Sequence, residues 1–314
     1  MNNVMISICI PAYKRAKYLE RLLKSIANQT FRDFEVIISD DSPDTSIQEL
    51  TGSYKTGMNI FYYHNTPSLG TPANWNFAIS KAKGEWIKLM HDDDWFASKE
   101  SLQVFADHTK KGSKLIFSAY TNYQDGPDKR ETPVFPPSVW RKRIANEPLA
   151  LFARNVIGPP SVTIIHKSIN SQYDERMKWR VDIDLYAHIL RCEKSFTYID
   201  IPLINVGVNE GQVTNECFEN PLVELPEGFL LIEKYGTKPL NNIYVYDAWW
   251  RLLRNMSINS PEKLTNYVDK PWPETIITIT KRLGRISSQV LRIGVLSKIL
   301  MFLSFVFKSG RDKS

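Results

Sequence analysis

The chain has 314 residues, 43% of them hydrophobic and 24% charged, and this composition excludes a largely disordered protein. Its three cysteines are far apart and form no CxxC pair, which argues against a disulfide framework or a zinc site and fits a reducing compartment. Residues 276–314 carry eight Lys and Arg against one acid and account for the net charge of +6, so nucleic acid is not expected as a partner.

The first 120 residues alternate between short apolar runs and helical patterns. Strands are predicted at 4–10, 35–39, 60–63, 86–90 and 115–118. Helices are predicted between them, and the first is indicated by Leu19, Leu22, Leu23 and Ile26, which share one helical face. This alternation predicts an α/β fold with a mostly parallel sheet covered by helices.

The second half of the chain is less regular. A surface loop is predicted at 125–137, a helix at 147–154, a rigid turn at 158–161 and a strand at 162–166. A further helix begins near Arg180 and has Asp182 and Asp184 in its first turn, where acidic residues are favoured.

Polar clusters follow three of the predicted strands. They are Pro11-Ala12-Tyr13-Lys14-Arg15, Asp40-Asp41 and Asp92-Asp93-Asp94. Because ligands of parallel sheets bind beyond the carboxyl ends of the strands, the sequence predicts one binding site where these clusters meet.

The acidic clusters have two interpretations each. The run at 92–94 either binds a divalent cation and, through it, a diphosphate, or forms a solvated acidic turn before the next helix. The pair Asp40-Asp41 either contacts a base or ribose, or forms a turn that ends the strand. Local sequence alone leaves both questions open.

Three segments in this order resemble the family 2 glycosyltransferases. They are Ser7-Ile-Cys-Ile-Pro-Ala-Tyr-Lys-Arg15, Asn28-Gln-Thr-Phe-Arg-Asp-Phe-Glu-Val-Ile-Ile-Ser-Asp-Asp-Ser42 and Gly84-Glu-Trp-Ile-Lys-Leu-Met-His-Asp-Asp-Asp-Trp95. The resemblance implies a GT-A fold, a Rossmann-like sheet with flanking helices, together with a nucleotide-sugar donor, a UDP-sugar first, and a Mn²⁺ or Mg²⁺ cofactor. We expect a GT-A domain at 1–215, with a nucleotide-binding half at 1–120 and an acceptor half at 121–215, a helical extension at 216–275, and basic and apolar helices at 276–314.

The resemblance also implies roles for single residues. Donor contacts are implied for Pro11, Ala12, Tyr13, Arg15, Asp40, Asp41, Asn74, Asp92 and Asp93. The metal ligand is Asp93, within a position similar to the D-x-D motif, and His91 and Asp94 are supporting candidates. In this family the acid that matches Asp182 is the catalytic base of inverting members.

Other positions carry less chemistry or depart from the family pattern. Asp184 is expected to cap its helix or to be structural, with an acceptor contact as the alternative. The departures are Lys14, where asparagine is common, His91, where the first aspartate of D-x-D often stands, and Asn209, where histidine is frequent.

The C-terminal residues combine a basic segment with an apolar one. Residues 281–292 are predicted to form a basic amphipathic helix, and 293–307 are nearly all apolar but too few to span a bilayer. These helices either lie on an anionic membrane surface or pack on the enzyme's own core. A polyprenyl-diphosphate-linked glycan acceptor would suit the first arrangement, with the protein in the cytoplasm or at the inner face of the membrane.

Three functions are weighed. The first is an inverting, metal-dependent glycosyltransferase that acts on a glycan or lipid-linked glycan in cell-surface polysaccharide synthesis. The second is a non-catalytic relative that binds a nucleotide or glycan as an assembly partner. The third is a nucleotidyltransferase, which is disfavoured because the first strand is not followed by a Gly-rich basic loop.

Overall fold

A nine-stranded sheet forms the centre of the first of two units into which the chain divides. The computed structural model describes residues 4–125, 129–170, 172–208 and 216–309. The sheet unit comprises Met1–Pro148, Val156–Glu175 and Asp184–Gln212, and the helical unit comprises Leu149–Asn155, Arg176–Ile183 and Val213–Ser314.

The sheet combines a parallel half with a mixed half. Its strands are β1 (Ile6–Ala12), β2 (Phe34–Asp40), β3 (Ile60–His64), β4 (Trp86–Leu89), β5 (Trp95–Phe96), β6 (Leu115–Gln124), β7 (Arg130–Val134), β8 (Thr163–His166) and β9 (Thr197–Val208). Their order is β3-β2-β1-β4-β8-β6-β9-β5, and β7 pairs with β6. The first four strands in this order are parallel, as predicted, whereas β8 is antiparallel to both of its neighbours.

Helices of the sheet unit follow its strands in sequence. They are α1 (Ala16–Ala27), α2 (Ser46–Tyr54), α3 (Ala73–Ser80), α4 (Ser101–His108), α5 (Ser138–Asn146) and α6 (Val181–Glu193), whose first three residues belong to the helical unit. In α1 the face containing Leu19, Leu22, Leu23 and Ile26 is fully buried in the core beneath the sheet, which confirms the predicted pattern.

The register of β1 brings the three polar strand ends together. Ala12 lies opposite Asp40, and Cys9 lies opposite Leu89. The amide of Met90 then donates to the carbonyl of Cys9 at 2.9 Å, so β4 ends beside the last residues of β1. The predicted convergence of the clusters after β1, β2 and β4 is therefore confirmed.

Several elements of the second half differ from the prediction. The predicted loop at 125–137 contains β7, which includes Pro133. Within the described residues β7 pairs with β6 alone, and an edge strand of this kind tolerates proline. The predicted helix at 147–154 is wrong: α5 ends at Asn146, and a short 3₁₀ helix, Pro148–Phe152, follows it. Sequence inspection also missed β9, whose register against β6 shifts next to Pro202.

The helical unit contains the remaining helices. They are α7 (Pro221–Tyr235), α8 (Ile243–Asn255), α9 (Pro261–Thr265), α10 (Glu274–Leu283), α11 (Ser288–Arg292) and α12 (Gly294–Ser309). The predicted continuous basic helix at 281–292 is wrong, because α10 ends before Gly284 and α11 begins at Ser288. A Cβ at Gly284 would lie 2.3 Å from the Asn259 carbonyl oxygen, so only glycine fits this close approach. Among the described residues, no helix is long and apolar enough to cross a membrane.

Gly84 offers a test of the packing that aligns β1 with β4. A Cβ there would lie 2.7 Å from the backbone nitrogen and from Oγ of Ser7, both in β1. We expect Gly84→Ala to reduce the free energy of unfolding by about 2 kcal/mol, since overpacking of this kind typically costs 1–3 kcal/mol. Thermal unfolding should show a fall in Tm of roughly 4–8 °C.

Gly52→Ala is the matched control, because no atom lies within 4 Å of a Cβ built at this position in α2. We expect it to be neutral or slightly stabilising, since alanine favours helices more than glycine. Equal Tm values for the two variants would contradict the close contact at Gly84.

Candidate active site

The loop after β1 is held by its backbone and leaves two side chains exposed to solvent. Ala12 is buried, whereas the Tyr13 side chain is 48% exposed. Lys14 has a φ of 59° and donates its backbone N–H to Ser42 Oγ at 2.7 Å. Because asparagine tolerates this left-handed conformation better than most residues, its frequency here in the resembling family has a physical basis. In this chain Lys14 adopts the left-handed conformation at the position where asparagine is common.

Arg15 joins the end of β1 to the acidic cluster after β4. Its Nη1 lies 2.9 Å from Oδ2 of Asp93, and its Nε lies 3.7 Å from Oδ1 of Asp92. The Tyr13 amide also faces Asp92 Oδ2, at 3.5 Å. The guanidinium therefore stands where a cation is electrostatically favoured, next to two carboxylates that are 5% and 6% exposed.

The acids after β2 are engaged in the local structure. Asp40 is fully buried, and its two oxygens accept from the Ser42 amide at 2.8 Å and the Tyr62 hydroxyl at 2.7 Å. Asp41 accepts from the backbone amides of Leu69, at 3.1 Å, and Gly70, at 2.8 Å. Both carboxylates thus fix the loops beside the strand ends.

Asn74 and Asn65 complete this network. Asn74, in α3, donates from Nδ2 to the Ser39 carbonyl at 3.1 Å, and its Oδ1 accepts from Asn65 Nδ2 at 3.2 Å. Asn65 also donates to Asp41 at 2.8 Å. The network ties the end of β2 to α3 and gives the loop that follows β3 a fixed place.

His91, Asp93 and Asp94 form a potential metal-binding cluster. One ligand atom from each residue lies within 4.8 Å of the others. Asp94 is 2% exposed, and its Oδ1 accepts from the Gly207 amide at 3.0 Å. Asp94 Oδ2 and His91 Nε2 are buried and have no hydrogen-bond partner within the described residues. Such atoms suit a bound cation, because it would supply the contact that each of them lacks.

Burial also shifts the protonation of this cluster. It raises the pKa of the Asp92 carboxyl to about 7, an effect that Arg15 reduces and Asp93 adds to. Burial raises the pKa of Asp94 well above its usual value, and the charge of Asp93 contributes. For His91, burial lowers the pKa, so the neutral imidazole is favoured. A neutral imidazole is the form that can bind a metal.

Lys88 and Ser161 support the cluster from the sheet, and sequence reasoning missed the part that Lys88 plays. The fully buried Lys88 side chain donates from Nζ to the carbonyl oxygens of Ser161 and, at 3.2 Å, Thr163. Ser161 Oγ then accepts from the His91 amide at 2.9 Å. A lysine within the apolar strand β4 was the available signal, since a buried charge requires partners.

Arg21 is a second residue that the sequence did not single out. Its guanidinium lies 3.5 Å from the centre of the Trp95 ring, and its Nη2 donates to the Asp93 carbonyl at 3.2 Å. The side chain therefore fixes the backbone that presents the acidic cluster. A basic residue on the first helix is too common a feature to have indicated this role.

Asp182 lies in the helical unit, in the first turn of α6, and is half-buried. Its Oδ2 accepts from Asn155 Nδ2 at 2.7 Å, and its Oδ1 accepts from the Ile183 amide at 2.7 Å. Burial raises the pKa of Asp182 to about 7, although these hydrogen bonds oppose the rise. Asp184 belongs to the sheet unit and is 2% exposed. Asn209 lies outside the described residues.

The residues of the cluster fit a divalent ion. Carboxylate oxygens suit Mg²⁺ and Mn²⁺, and an imidazole nitrogen favours a transition-metal ion over Mg²⁺. Asp93 and Asp94 supply oxygens, and His91 supplies a nitrogen. The donor set therefore fits Mn²⁺ better than Mg²⁺.

Known proteins resemble the chain in sequence. The family model described as "Glycosyl transferase family 2" matches residues 7–173. The chain is 30% identical over 200 residues to WcaA of Escherichia coli K12, a putative colanic acid biosynthesis glycosyl transferase, which covers 60% of this chain and 67% of WcaA. It is 37% identical over 105 residues to the abequosyltransferase RfbV of Salmonella typhimurium, which covers 32% of this chain and 31% of RfbV.

Solved structures resemble the chain in fold. TarS 1–349 of S. aureus, in complex with UDP-GlcNAc, aligns with a TM-score of 0.54 and 17% identity, over 98% of this chain and 92% of that one. The mannosyltransferase PcManGT of Pyrobaculum calidifontis, in complex with GDP-Man and Mn²⁺, aligns with a TM-score of 0.56 and 12% identity, over 98% and 88% of the two chains. At these identities the likeness establishes a shared fold.

Arg15 should compete with a divalent ion for the carboxylates of Asp92 and Asp93. We expect Arg15→Gln to tighten Mn²⁺ binding by the nucleotide-free protein about tenfold. Without the guanidinium, one oxygen each of Asp92 and Asp93 loses its cationic partner, and Mn²⁺ no longer meets the repulsion of a nearby positive charge. Isothermal titration with MnCl₂ measures the change. Arg32→Gln is the matched control, since Arg32 is exposed and donates to the Ala27 carbonyl. Weaker Mn²⁺ binding by Arg15→Gln would contradict the competition.

Proposed function

The chain belongs to glycosyl transferase family 2 and is a glycosyltransferase of GT-A fold, and from this premise we propose that it is an inverting, metal-dependent enzyme of polysaccharide synthesis. It would move a sugar from a nucleotide-sugar, a UDP-sugar first, to a hydroxyl of a glycan. The observation that carries the proposal is the cluster of His91, Asp93 and Asp94 at the end of β4, beside Arg15 at the end of β1. The name of WcaA, which refers to colanic acid biosynthesis, supports a biosynthetic role, and the name of RfbV supports sugar transfer.

The proposed donor site lies along the loops after β1 and β2. The backbone of Pro11 and Ala12 and the exposed Tyr13 side chain would border the nucleotide. Asp41 would contact the base, as the family motif implies, while it keeps its hydrogen bonds from the amides of Leu69 and Gly70. Asp40 and Asn74, whose polar atoms are bonded within the protein, would act by holding these loops in place. The UDP-GlcNAc and GDP-Man complexes of the structural neighbours support a nucleotide-sugar as the donor class.

The proposed metal ligand is Asp93, with support from His91 and Asp94. A bound Mn²⁺ or Mg²⁺ would supply positive charge where the leaving diphosphate gains negative charge. Asp92 would lie near the ribose or diphosphate, with its charge balanced by Arg15 and the Tyr13 amide. Arg15 would exchange a carboxylate partner for a phosphate one, because its side chain is 37% exposed and could turn toward the ligand.

Removing one carboxylate of the cluster tests the metal role. We expect Asp93→Asn to weaken Mn²⁺-dependent binding of the donor nucleotide about a hundredfold, because a neutral amide is a poor ligand for a hard cation. The nucleotide is first chosen by a thermal-shift screen of nucleotide-sugars with Mn²⁺, and titration calorimetry then gives the affinity.

Asp33→Asn is the control for this measurement, since Asp33 is an exposed aspartate that precedes β2. Nucleotide affinity without metal should be similar in all three proteins. Full Mn²⁺-dependent affinity in Asp93→Asn would remove Asp93 as a ligand.

Asp182 is the proposed general base. It would take the proton of the acceptor hydroxyl while that oxygen bonds to the anomeric carbon and the bond to the diphosphate breaks. A single displacement of this kind inverts the anomeric centre. Support comes from the family motif and from the environment of Asp182, which raises its pKa to about 7, near the value that suits a base at neutral pH. The hydrogen bond from Asn155 would orient the carboxylate.

Asp182→Asn should stop transfer and leave donor binding unchanged. We expect kcat to fall about a thousandfold, in the range that general bases contribute, with a similar donor affinity by calorimetry. In the unmodified protein, kcat should rise as the pH increases through about 7. The base works only when it is deprotonated, and burial raises the pKa of Asp182 to about 7. Saturating Mn²⁺ keeps the carboxylates of the metal cluster ionised during this measurement.

Asp200→Asn provides the control, since Asp200 is exposed and accepts a hydrogen bond from Tyr198. Proton NMR of the product reports whether the anomeric configuration is inverted. An Asp182→Asn variant that transfers at the normal rate would remove this residue as the base, and a retained configuration would reject single displacement. An unmodified protein that binds donors but transfers no sugar would favour the non-catalytic alternative.

The proposed acceptor is a glycan carried on a polyprenyl diphosphate. Such an acceptor is anchored in a bilayer, so the enzyme would act at the inner face of the cell membrane. The basic and apolar C-terminal residues support this location.

A further inference from the structure

The last helix, α12, has its polar face directed toward the protein. Ser297 is fully buried, and its Oγ accepts from Trp250 Nε1 at 3.1 Å. Ser304 is 6% exposed, and its Oγ lies 2.6 Å from the Tyr246 hydroxyl. Met301 is buried between these two serines on the same face. Hydrogen bonds of its serines therefore help to hold α12 on α8.

The opposite face of α12 is apolar and exposed. Val295 is 72% exposed, Phe307 is 67% exposed, and Ile299 and Phe302 are each 51% exposed. Leu296 and Leu303 are also exposed. A surface helix normally shows the reverse arrangement, with polar residues outward. We call this exposed set the outer face of α12; an apolar patch of this kind marks an interaction surface.

Basic side chains accompany the outer face. Residues 275–309 contain no Asp or Glu and six Lys or Arg. Lys281, Arg285 and Arg292 are exposed, as is Lys298, although Lys298 also pairs with Asp247 at 3.2 Å. An apolar helix face flanked by cations matches helices that lie in the plane of an anionic bilayer.

We propose that the outer face of α12 docks the protein on an anionic lipid bilayer as an in-plane anchor. Charge complementarity selects this occupant over a second copy of the chain, since a two-fold contact would place like-charged basic residues against one another. The inward hydrogen bonds of Ser297 and Ser304 allow α12 to enter the lipid headgroup region while it remains attached to the protein. The inference adds a docking surface to the proposed membrane location and does not depend on Asp93 or Asp182.

Vesicle co-sedimentation tests the anchor with the full chain. We expect binding to vesicles of phosphatidylcholine with 30% phosphatidylglycerol, and weak binding to phosphatidylcholine alone. Phe302→Ser with Phe307→Ser should weaken partitioning at least about tenfold, because two exposed rings no longer enter the bilayer. Phe218→Ser with Leu222→Ser is the matched control, since these two side chains are 61% and 71% exposed elsewhere in the helical unit.

A second pair of variants tests the charges. Arg285→Glu with Arg292→Glu should lose most binding to the anionic vesicles, whereas Lys110→Glu with Lys111→Glu, which changes the net charge equally at exposed positions of the sheet unit, should bind normally. Equal partitioning of Phe302→Ser/Phe307→Ser and the unmodified protein would overturn the proposal. A dimer in analytical ultracentrifugation that the same substitutions dissociate would identify a second copy as the occupant and overturn it too.

Sugar transfer to a soluble acceptor, measured on the same samples, separates the two proposals. Transfer without vesicle binding would reject the anchor and leave the proposed reaction intact. Vesicle binding by a protein that transfers no sugar would support the anchor and reject the proposed reaction.

Discussion

Three adjacent carboxylates, buried at the end of β4, set the main electrostatic constraint on the sheet unit. Asp92, Asp93 and Asp94 are 5%, 6% and 2% exposed, and each would lose solvation and repel its neighbours without compensation. Arg15 supplies positive charge to the first two, and the Gly207 amide supplies a hydrogen bond to the third. The loop after β1 and the last residues of strand β9 are therefore tied to the same acidic cluster.

Much of this arrangement follows from short-range sequence patterns. The sequence pattern predicted α1, β1 and β2 correctly. These elements are specified by which of their own residues are buried, and the spacing of apolar residues shows this directly. The meeting of the strand ends followed from parallel topology. The lysine within β4 indicated that a buried partner was needed, but Ser161 could not be identified as that partner, because the two residues are 73 positions apart in the sequence. For the same reason Asp40 could not be recognised as internally bonded before its partner Tyr62 was placed.

Burial also brings two carboxyl groups in separate units to a similar pKa. Asp92 and Asp182 both reach about 7, chiefly through loss of solvent. Their surroundings differ, because Asp92 faces a guanidinium and another carboxylate, whereas Asp182 accepts hydrogen bonds from an amide side chain and the backbone. A cation added beside Asp92 would favour its ionised form and lower its pKa, while Asp182 would keep the value suited to proton transfer. The two environments therefore suit the different roles proposed for these residues, a donor contact for Asp92 and a general base for Asp182.

The proposals for the C-terminal helix and for the acidic cluster rest on the same physical reasoning. Asp94 Oδ2 is a buried oxygen with no hydrogen-bond partner in the described part of the chain, and this state is costly until a cation approaches. Phe302 and Phe307 show the converse mismatch, because their apolar rings are exposed to water while the polar Ser297 and Ser304 are buried. Burial of the two serines is not costly, because their hydroxyls are hydrogen-bonded. The unfavourable free energy of this arrangement comes from the exposure of the apolar rings to water. A bilayer would remove that free energy without disturbing the serines, as a metal would compensate Asp94 without disturbing its bond to Gly207.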